Sequence, residues 1–370
     1  MWLYDELKHH ISSLDSNTIS EEECFEIVKR FNTSPRDHYS DILGTVAGAI
    51  RYSGVQCRTD YKNRVIHIAP TKQTKIDSAN GIDIIPVRAN DYIPQFTPQY
   101  VSRDEELKLL DAHMESGIPL LFVGPKGIGK TLCVAHYASQ NSIPIIQFDC
   151  SENTKRFDLI GRFVLIGDEV KYQLGVLPTA ISIANNTKKA ILVLEELNAL
   201  SPQMQKVLNQ LLDWRKHVYV PELGKTYSLS DDCKLLIVGT MNPSYYGGVY
   251  ELNEDLRSRF AERYFGYPSD THEKKVLSKL TVLDKEIRDM LVTLATETRK
   301  GVESGDLSYA LSTRDLTMFA DVLSAYINTL DDIEKALQWA LYNIVVNRYD
   351  DARERDTIKQ RIMSIFGVEV

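Results

Sequence analysis

Four runs of consecutive apolar residues stand out along the middle of the chain: Leu120-Leu121-Phe122-Val123, Ile143-Pro144-Ile145-Ile146, Ile191-Leu192-Val193-Leu194 and Leu235-Leu236-Ile237-Val238. Runs of that length without polar alternation predict strands buried on both faces, as in a parallel sheet covered by helices. Pro144 predicts the start of its strand, since proline cannot donate to a central ladder. Past residue 267 the period becomes helical, at Ile287, Met290, Leu291 and Leu294, then Leu316, Phe319, Val322 and Leu323, then Ile333, Ala336, Leu337 and Ala340. The pattern predicts an α/β domain followed by an all-α domain. Two hairpins are also expected. One turns at Gly167-Asp168 between Val164-Leu165-Ile166 and Glu169-Val170-Lys171; the other spans residues 217–229 around Glu222-Leu223-Gly224-Lys225.

Ahead of these lies a small α+β unit with its own pattern. Cys24, Phe25, Ile27, Val28 and Phe31 predict one helix, and Ile42, Leu43, Val46 and Ile50 a second. Val55-Gln56-Cys57 and Val65-Ile66-His67-Ile68 flank Asp60-Tyr61-Lys62-Asn63 and predict a hairpin. Helices followed by a hairpin suggest a winged-helix-like module, with Arg58, Lys62 and Arg64 on the wing. Residues 1–70 carry ten acidic against eight basic side chains, which favours protein docking or a structural role over DNA binding. Pro70, Pro86, Pro94 and Pro98 mark a linker. The expected division is 1–90 for the N-terminal domain and linker, 91–266 for the α/β domain and 267–370 for the helical domain.

Composition narrows the class. Hydrophobic residues make up 43% and charged residues 25% of 370, an ordinary globular balance. No stretch comes near eighteen apolar residues, so no membrane span is expected. The acidic start Met1-Trp2-Leu3-Tyr4-Asp5-Glu6 is unlike a secretory signal, and a cytoplasmic protein is expected. The net charge of −8 excludes a surface devoted to nucleic acid but leaves room for a local basic groove. The five cysteines are scattered, without Cys-x-x-Cys or His-Glu-x-x-His, and read as buried thiols rather than zinc or disulfide sites.

Chemistry enters with Gly124-Pro125-Lys126-Gly127-Ile128-Gly129-Lys130-Thr131, which satisfies G-x-x-x-x-G-K-[ST] at every fixed position. It follows an apolar strand and opens a helical pattern, as a phosphate-binding loop must, and residues 124–131 with the following Leu132 are expected to bind the nucleotide. Its glycines let backbone N–H groups curl around phosphate oxygens at a helix N-terminus. Lys130 is expected to reach the β and γ phosphates of ATP, and Thr131 to bind Mg2+. The run at 191–194 ends in Glu195-Glu196, at the carboxyl edge where α/β sheets bind ligands. Glu195 is the candidate for the metal shell and Glu196 for orienting and deprotonating water.

With these motifs the chain resembles the AAA+ ATPases, and more narrowly the MoxR-type and dynein-related group with an insert in its second helix. Tyr100-Val101-Ser102-Arg103-Asp104-Glu105-Glu106-Leu107 is similar to that group's segment over the adenine. Asp158-Leu159-Ile160-Gly161-Arg162-Phe163 with Gly175-Val176-Leu177 is similar to its insert region. Leu211-Leu212-Asp213-Trp214-Arg215 resembles the start of the hairpin before sensor 1. Gly239-Thr240-Met241-Asn242-Pro243 resembles the sensor-1 strand end, Leu252-Asn253-Glu254-Asp255-Leu256-Arg257-Ser258-Arg259-Phe260 the arginine-finger segment, and Leu311-Ser312-Thr313-Arg314-Asp315-Leu316 the sensor-2 helix start. The resemblance implies that Asn242 positions the attacking water, that Arg314 lies over the γ-phosphate, and that Arg259 is a finger acting on a neighbouring subunit. Arg257 reads equally as a second finger candidate or a surface salt-bridge residue. One departure is Glu195, where the group usually has Asp. The implied activity is Mg2+-dependent ATP hydrolysis in a homo-oligomeric ring, with six subunits expected. Hydrolysis would remodel a separate protein partner, in some family members one bearing a von Willebrand A domain. The alternatives are a nucleic-acid motor, for which only Lys171 and Lys225 occupy hairpin positions, and a slow nucleotide-gated scaffold.

Overall fold

Three of the four apolar runs become strands over their own residues, and the other begins just after its proline. The strands are β1 (Leu120–Val123), β2 (Ile145–Asp149), β5 (Lys189–Glu195) and β8 (Lys234–Met241). The structure is a computed structural model and describes residues 18–20, 57–60, 65–68, 78–79, 81–103, 105–243, 250–330 and 332–370. It divides into two compact units, one of Met1–Ser78 with Asp83–Pro86 and one of Ala79–Ile82 with Val87–Val370.

In the first unit, Thr18–Ser20, Val65–Ile68 and Cys57–Asp60 form a three-stranded antiparallel sheet in that order. Asp60 pairs with Val65, so the predicted hairpin is present. The two predicted helices at 21–31 and 42–50 lie outside the described residues, and the winged-helix-like reading with them. In the segment that the prolines mark, short strands occur at Ser78–Ala79 and Ile82–Ile84 and a 3-10 turn at Ala89–Tyr92.

The second unit carries a five-stranded sheet in the order β9-β1-β8-β5-β2, with every pairing parallel. The outer strand β9 (Ala261–Tyr264) has no apolar run to announce it; its Glu262, Arg263 and Tyr264 are exposed, as an edge strand allows. Alternate residues of the central strands face opposite layers. Leu120, Phe122, Ile191, Val193, Leu236 and Val238 pack with Leu110, Met114, Val134 and Tyr137, from helices α1 (Glu106–Ser116) and α2 (Lys130–Gln140). Truncating one such buried leucine to alanine costs about 2–5 kcal/mol. Helix α4 (Val176–Thr187) packs on the same sheet along β5 and β8.

Both predicted hairpins are present. Strands β3 (Gly161–Ile166) and β4 (Glu169–Leu174) pair around Gly167-Asp168, between the short helix α3 (Arg156–Leu159) and α4. Strands β6 (His217–Val220) and β7 (Lys225–Ser228) pair after α5 (Pro202–Leu212). The short helix α6 (Glu254–Arg257) precedes β9.

Beyond residue 267 the chain is helical, as its period predicts. The helices are α7 (Asp270–Leu280), α8 (Lys285–Ser304), α9 (Thr313–Leu330), α10 (Ile333–Ile344) and α11 (Ala352–Phe366). Local chemistry sets their limits. Ser269 accepts from the His272 N–H at the start of α7, and Asp351 from Arg353 and Glu354 at the start of α11. Gly305 closes α8 in the left-handed conformation. These helices share a separate core that includes Leu291, Leu294, Phe319, Leu323 and Ile358.

Candidate nucleotide-binding and active site

The loop after β1 is shaped by glycines that its neighbours require. A Cβ on Gly124 would meet the Phe265 carbonyl oxygen at 1.8 Å. Gly127 and Gly129 take φ of +73° and +95°, conformations that cost other residues about 1–2 kcal/mol. Helix α2 starts immediately after, so its unpaired N–H groups and positive dipole end face the loop. Lys130 Nζ donates to the carbonyls of Gly124 at 2.6 Å and Pro125 at 2.7 Å and to Asn242 Oδ1 at 3.2 Å. Its pKa is pushed down to about 8, first by burial, with Glu196 opposing and Arg314 and Lys126 adding to the fall.

The paired carboxylates diverge as they leave β5. Glu195 ends the strand, in register with Asp149, and accepts the Thr131 hydroxyl proton at 2.8 Å on Oε2. Glu196 turns out of the strand with φ 51° and ψ 47°, a left-handed conformation held at a non-glycine residue. Its N–H points to Thr240 Oγ1 at 3.4 Å and its carboxylate stands 3.8 Å from Lys126 Nζ. Asn242, just past the end of β8, is buried, and Asn198 Nδ2 donates to its backbone carbonyl at 3.1 Å. A hydroxyl and a carboxylate in contact supply hard oxygen donors, which suits Mg2+ bound by few protein groups and completed by phosphates. Among the described residues no group of three or more His, Cys, Asp or Glu side chains offers an all-protein metal site.

The helical domain closes the other side of a cleft of about 350 Å³. His272, Val276 and Leu280, four apart on α7, line it together with Pro268, Thr313, Arg314 and Thr317. The Arg314 N–H donates to the Gly127 carbonyl at 3.0 Å, and a Cβ on Gly127 would meet Ser312 Oγ at 2.3 Å. Tyr100 and Val101 form the wall beyond the loop. Tyr100 donates its hydroxyl to Glu106, and His272 Nε2 lies 3.0 Å from the Val101 carbonyl. Burial is the first cause holding His272 below its ordinary pKa, with Arg103 adding to it.

The cleft thus brings together Lys126, Gly127, Ile128, Gly129, Lys130, Thr131, Leu132, Glu195, Glu196, Asn242 and Arg314. Gly124 and Pro125 lie behind it, joined through the carbonyls that hold Lys130. Arg257 and Arg259 do not line it. Arg257 is held in a two-point ion pair with Glu262, at 2.6 and 3.0 Å. Arg259 is half-buried near Asp213, and its Nε has no hydrogen-bond partner among the described residues. Sequence reasoning missed His272, Val276 and Thr317 as cleft residues and Asn198 as support for Asn242. For the first three the signal is the helical-domain pattern itself, which does not say which face meets the loop; Asn198 lies in the 3-10 turn after β5, where no motif marks it.

A glycine loop on a helix N-terminus, paired carboxylates at the end of the strand two places along the same sheet and a helical domain across the cleft define a P-loop nucleotide-binding protein. Residues 119–260 match the AAA domain of the dynein-related subfamily, and residues 273–365 match the CbbQ/NirQ/NorQ C-terminal domain. With both, the chain belongs to the MoxR-type, dynein-related AAA+ ATPases. It is 27% identical to protein NorQ of Paracoccus denitrificans (strain Pd 1222) over 73% of this chain and 94% of that protein. It is 27% identical to protein CbbQ of Hydrogenophilus thermoluteolus over 67% and 90%. With the denitrification regulatory protein NirQ of Pseudomonas aeruginosa it shares 28% identity over 60% and 83%. Among the described residues no helix is long and apolar enough to cross a membrane.

Proposed function

We propose that this chain hydrolyses ATP with Mg2+ in a ring of identical subunits and uses the cycle to remodel a separate protein. The observation that carries the reading is the convergence of Lys126, Lys130 and Arg314 on one glycine loop, opposite Glu195, Glu196 and Asn242. Lys130 exchanges its carbonyl partners for β- and γ-phosphate oxygens. Bound by Thr131 and Glu195, Mg2+ would supply charge neutralisation between the phosphates. The longer Glu195 in place of Asp still reaches the Thr131 hydroxyl, which supports a metal role for it and speaks against the slow scaffold. Glu196 accepts the proton of the attacking water, whose oxygen the Asn242 amide helps to place. Arg314 follows the γ-phosphate from the helical domain. Arg259 lies outside its own cleft and, as the finger, serves a neighbour's.

The β3–β4 hairpin supports a protein partner over a nucleic acid. Leu165 is 72% exposed and Val170 60%, with Phe163 and Ile166 also exposed beside them. Lys171 is paired with Glu169 at 2.7 Å, and at the second hairpin Lys225 sits 4.9 Å over the Tyr227 ring. An apolar tip with its cations engaged suits an apolar protein surface better than a phosphate backbone.

Glu196→Gln tests the hydrolytic assignment. The variant should keep the wild-type rise in melting temperature with ATP while turnover falls about 10²–10⁴-fold, the usual cost of losing a general base. Wild-type turnover in Glu196→Gln would remove the base from this residue.

A further inference from the structure

Helices α7, α8 and α9 meet at a buried ion pair that none of the roles above uses. Glu273 of α7 is 0% exposed and Arg299 of α8 10%. The two guanidinium Nη atoms donate to the two Glu273 oxygens, each at 2.8 Å. Arg299 Nε and Nη2 also donate to the Leu311 carbonyl at 3.0 and 2.9 Å, and the group lies 4.2 Å from the centre of the Tyr267 ring. Thr313, the first residue of α9, donates its hydroxyl to Glu273 Oε1 at 2.7 Å. The next residue is Arg314, whose N–H holds the Gly127 carbonyl. One bonded path therefore runs from the interior of the helical domain to the phosphate loop.

A buried ion pair is a poor source of stability, because desolvation offsets most of its attraction and an apolar pair of equal volume does as well. Its distinctive property is direction. A two-point fork fixes both partners in angle as well as distance. Among the described residues the Arg314 side chain has no hydrogen bond or ion pair of its own, so the start of α9 alone aims it. We infer that Glu273 and Arg299 are positioning residues for ATP hydrolysis, acting through the Thr313 hydroxyl on Arg314. The inference rests on the reading of Arg314 as the group that follows the γ-phosphate.

Thr313→Val keeps the shape of the side chain and removes only the donor, while Arg299 still satisfies Glu273. On the full-length chain it should lower kcat about ten- to a hundredfold, the scale of a catalytic group displaced by about 1 Å. ATP affinity and melting temperature should stay near wild type, and Thr313→Ser should restore kcat. Arg299→Lys, which loses the fork, should lower kcat in the same way wherever it folds. In an Arg314→Gln background, followed by single turnover over hours, Thr313→Val should cost nothing further. An undiminished kcat in Thr313→Val overturns the inference. So does the same fold-loss in both backgrounds, which leaves Arg314's own role standing. A wild-type rate in Arg314→Gln alone overturns both together.

Discussion

Burial and the charges of Arg314 and Lys126 hold Lys130 at a pKa of about 8 against 10.5 for a free lysine, with Glu196 pulling the other way. The unfolded chain binds this proton more tightly. Lys130 therefore weakens the fold below pH 8, and the penalty fades as the pH rises from 8 towards 10.5. Phosphate oxygens reverse the local field and return the pKa upward. Binding ATP should then take up a fraction of a proton near pH 8 and less at pH 7, and affinity should fall as the pH rises above 8. Calorimetry at pH 8 in two buffers of different ionisation enthalpy reads the uptake directly, and identical heats in both would contradict it. The phosphate loop was open to sequence reasoning because its eight residues are contiguous and each glycine has a local steric task. The burial of Glu273 and Arg299 was not. A Glu and an Arg on amphipathic helices read as solvent-facing, and only the packing of three helices puts them inside.

The elements around the cleft depend on one another at Gly127. Its φ of +73° and the Ser312 side chain over it tie the loop to the first turn of α9. Gly305 offers a control, with φ of +83° and no atom within 4 Å of the place a Cβ would take. Alanine at either position should cost about 1 kcal/mol or more from backbone strain. Gly127→Ala should in addition displace Ser312 and weaken ATP binding at least tenfold, whereas Gly305→Ala should bind ATP as wild type does. Melting curves with an ATP titration of both variants separate the two effects, and equal ATP affinities would show that the α9 contact does not matter. At this level the central strands and both hairpins were legible, because unbroken apolar runs, the glycine-first turn at Gly167-Asp168 and the glycine-bearing turn ending at Gly224 are local signals. Strand β9 was not, since Ala261-Glu262-Arg263-Tyr264 is charged at its centre and owes its place to pairing with β1. Nor was the cleft face of α7, where His272, Val276 and Leu280 repeat every four residues as on any helix.

Across the molecule, Arg257 and Arg259 sort themselves by their surroundings. Glu262 already holds Arg257 at two points, whereas the buried Arg259 Nε has no partner among the described residues and its side chain lies outside its own cleft. That contrast favours Arg259 as the group that completes a neighbour's site, a step that typically contributes 10³–10⁵-fold in phosphoryl transfer. The measurement that bears most directly on this account is the ATPase rate of a mixture of two inactive variants. Arg259→Ala should bind ATP and hydrolyse almost none; Lys130→Ala should not hold the phosphates at all. In a mixed ring an intact loop of the first faces an intact finger of the second. The account predicts that mixing restores activity and that the recovery rises with protein concentration, because it requires assembly. A mixture that stays inactive while native mass spectrometry finds mixed rings, or full activity in Arg259→Ala alone, contradicts it.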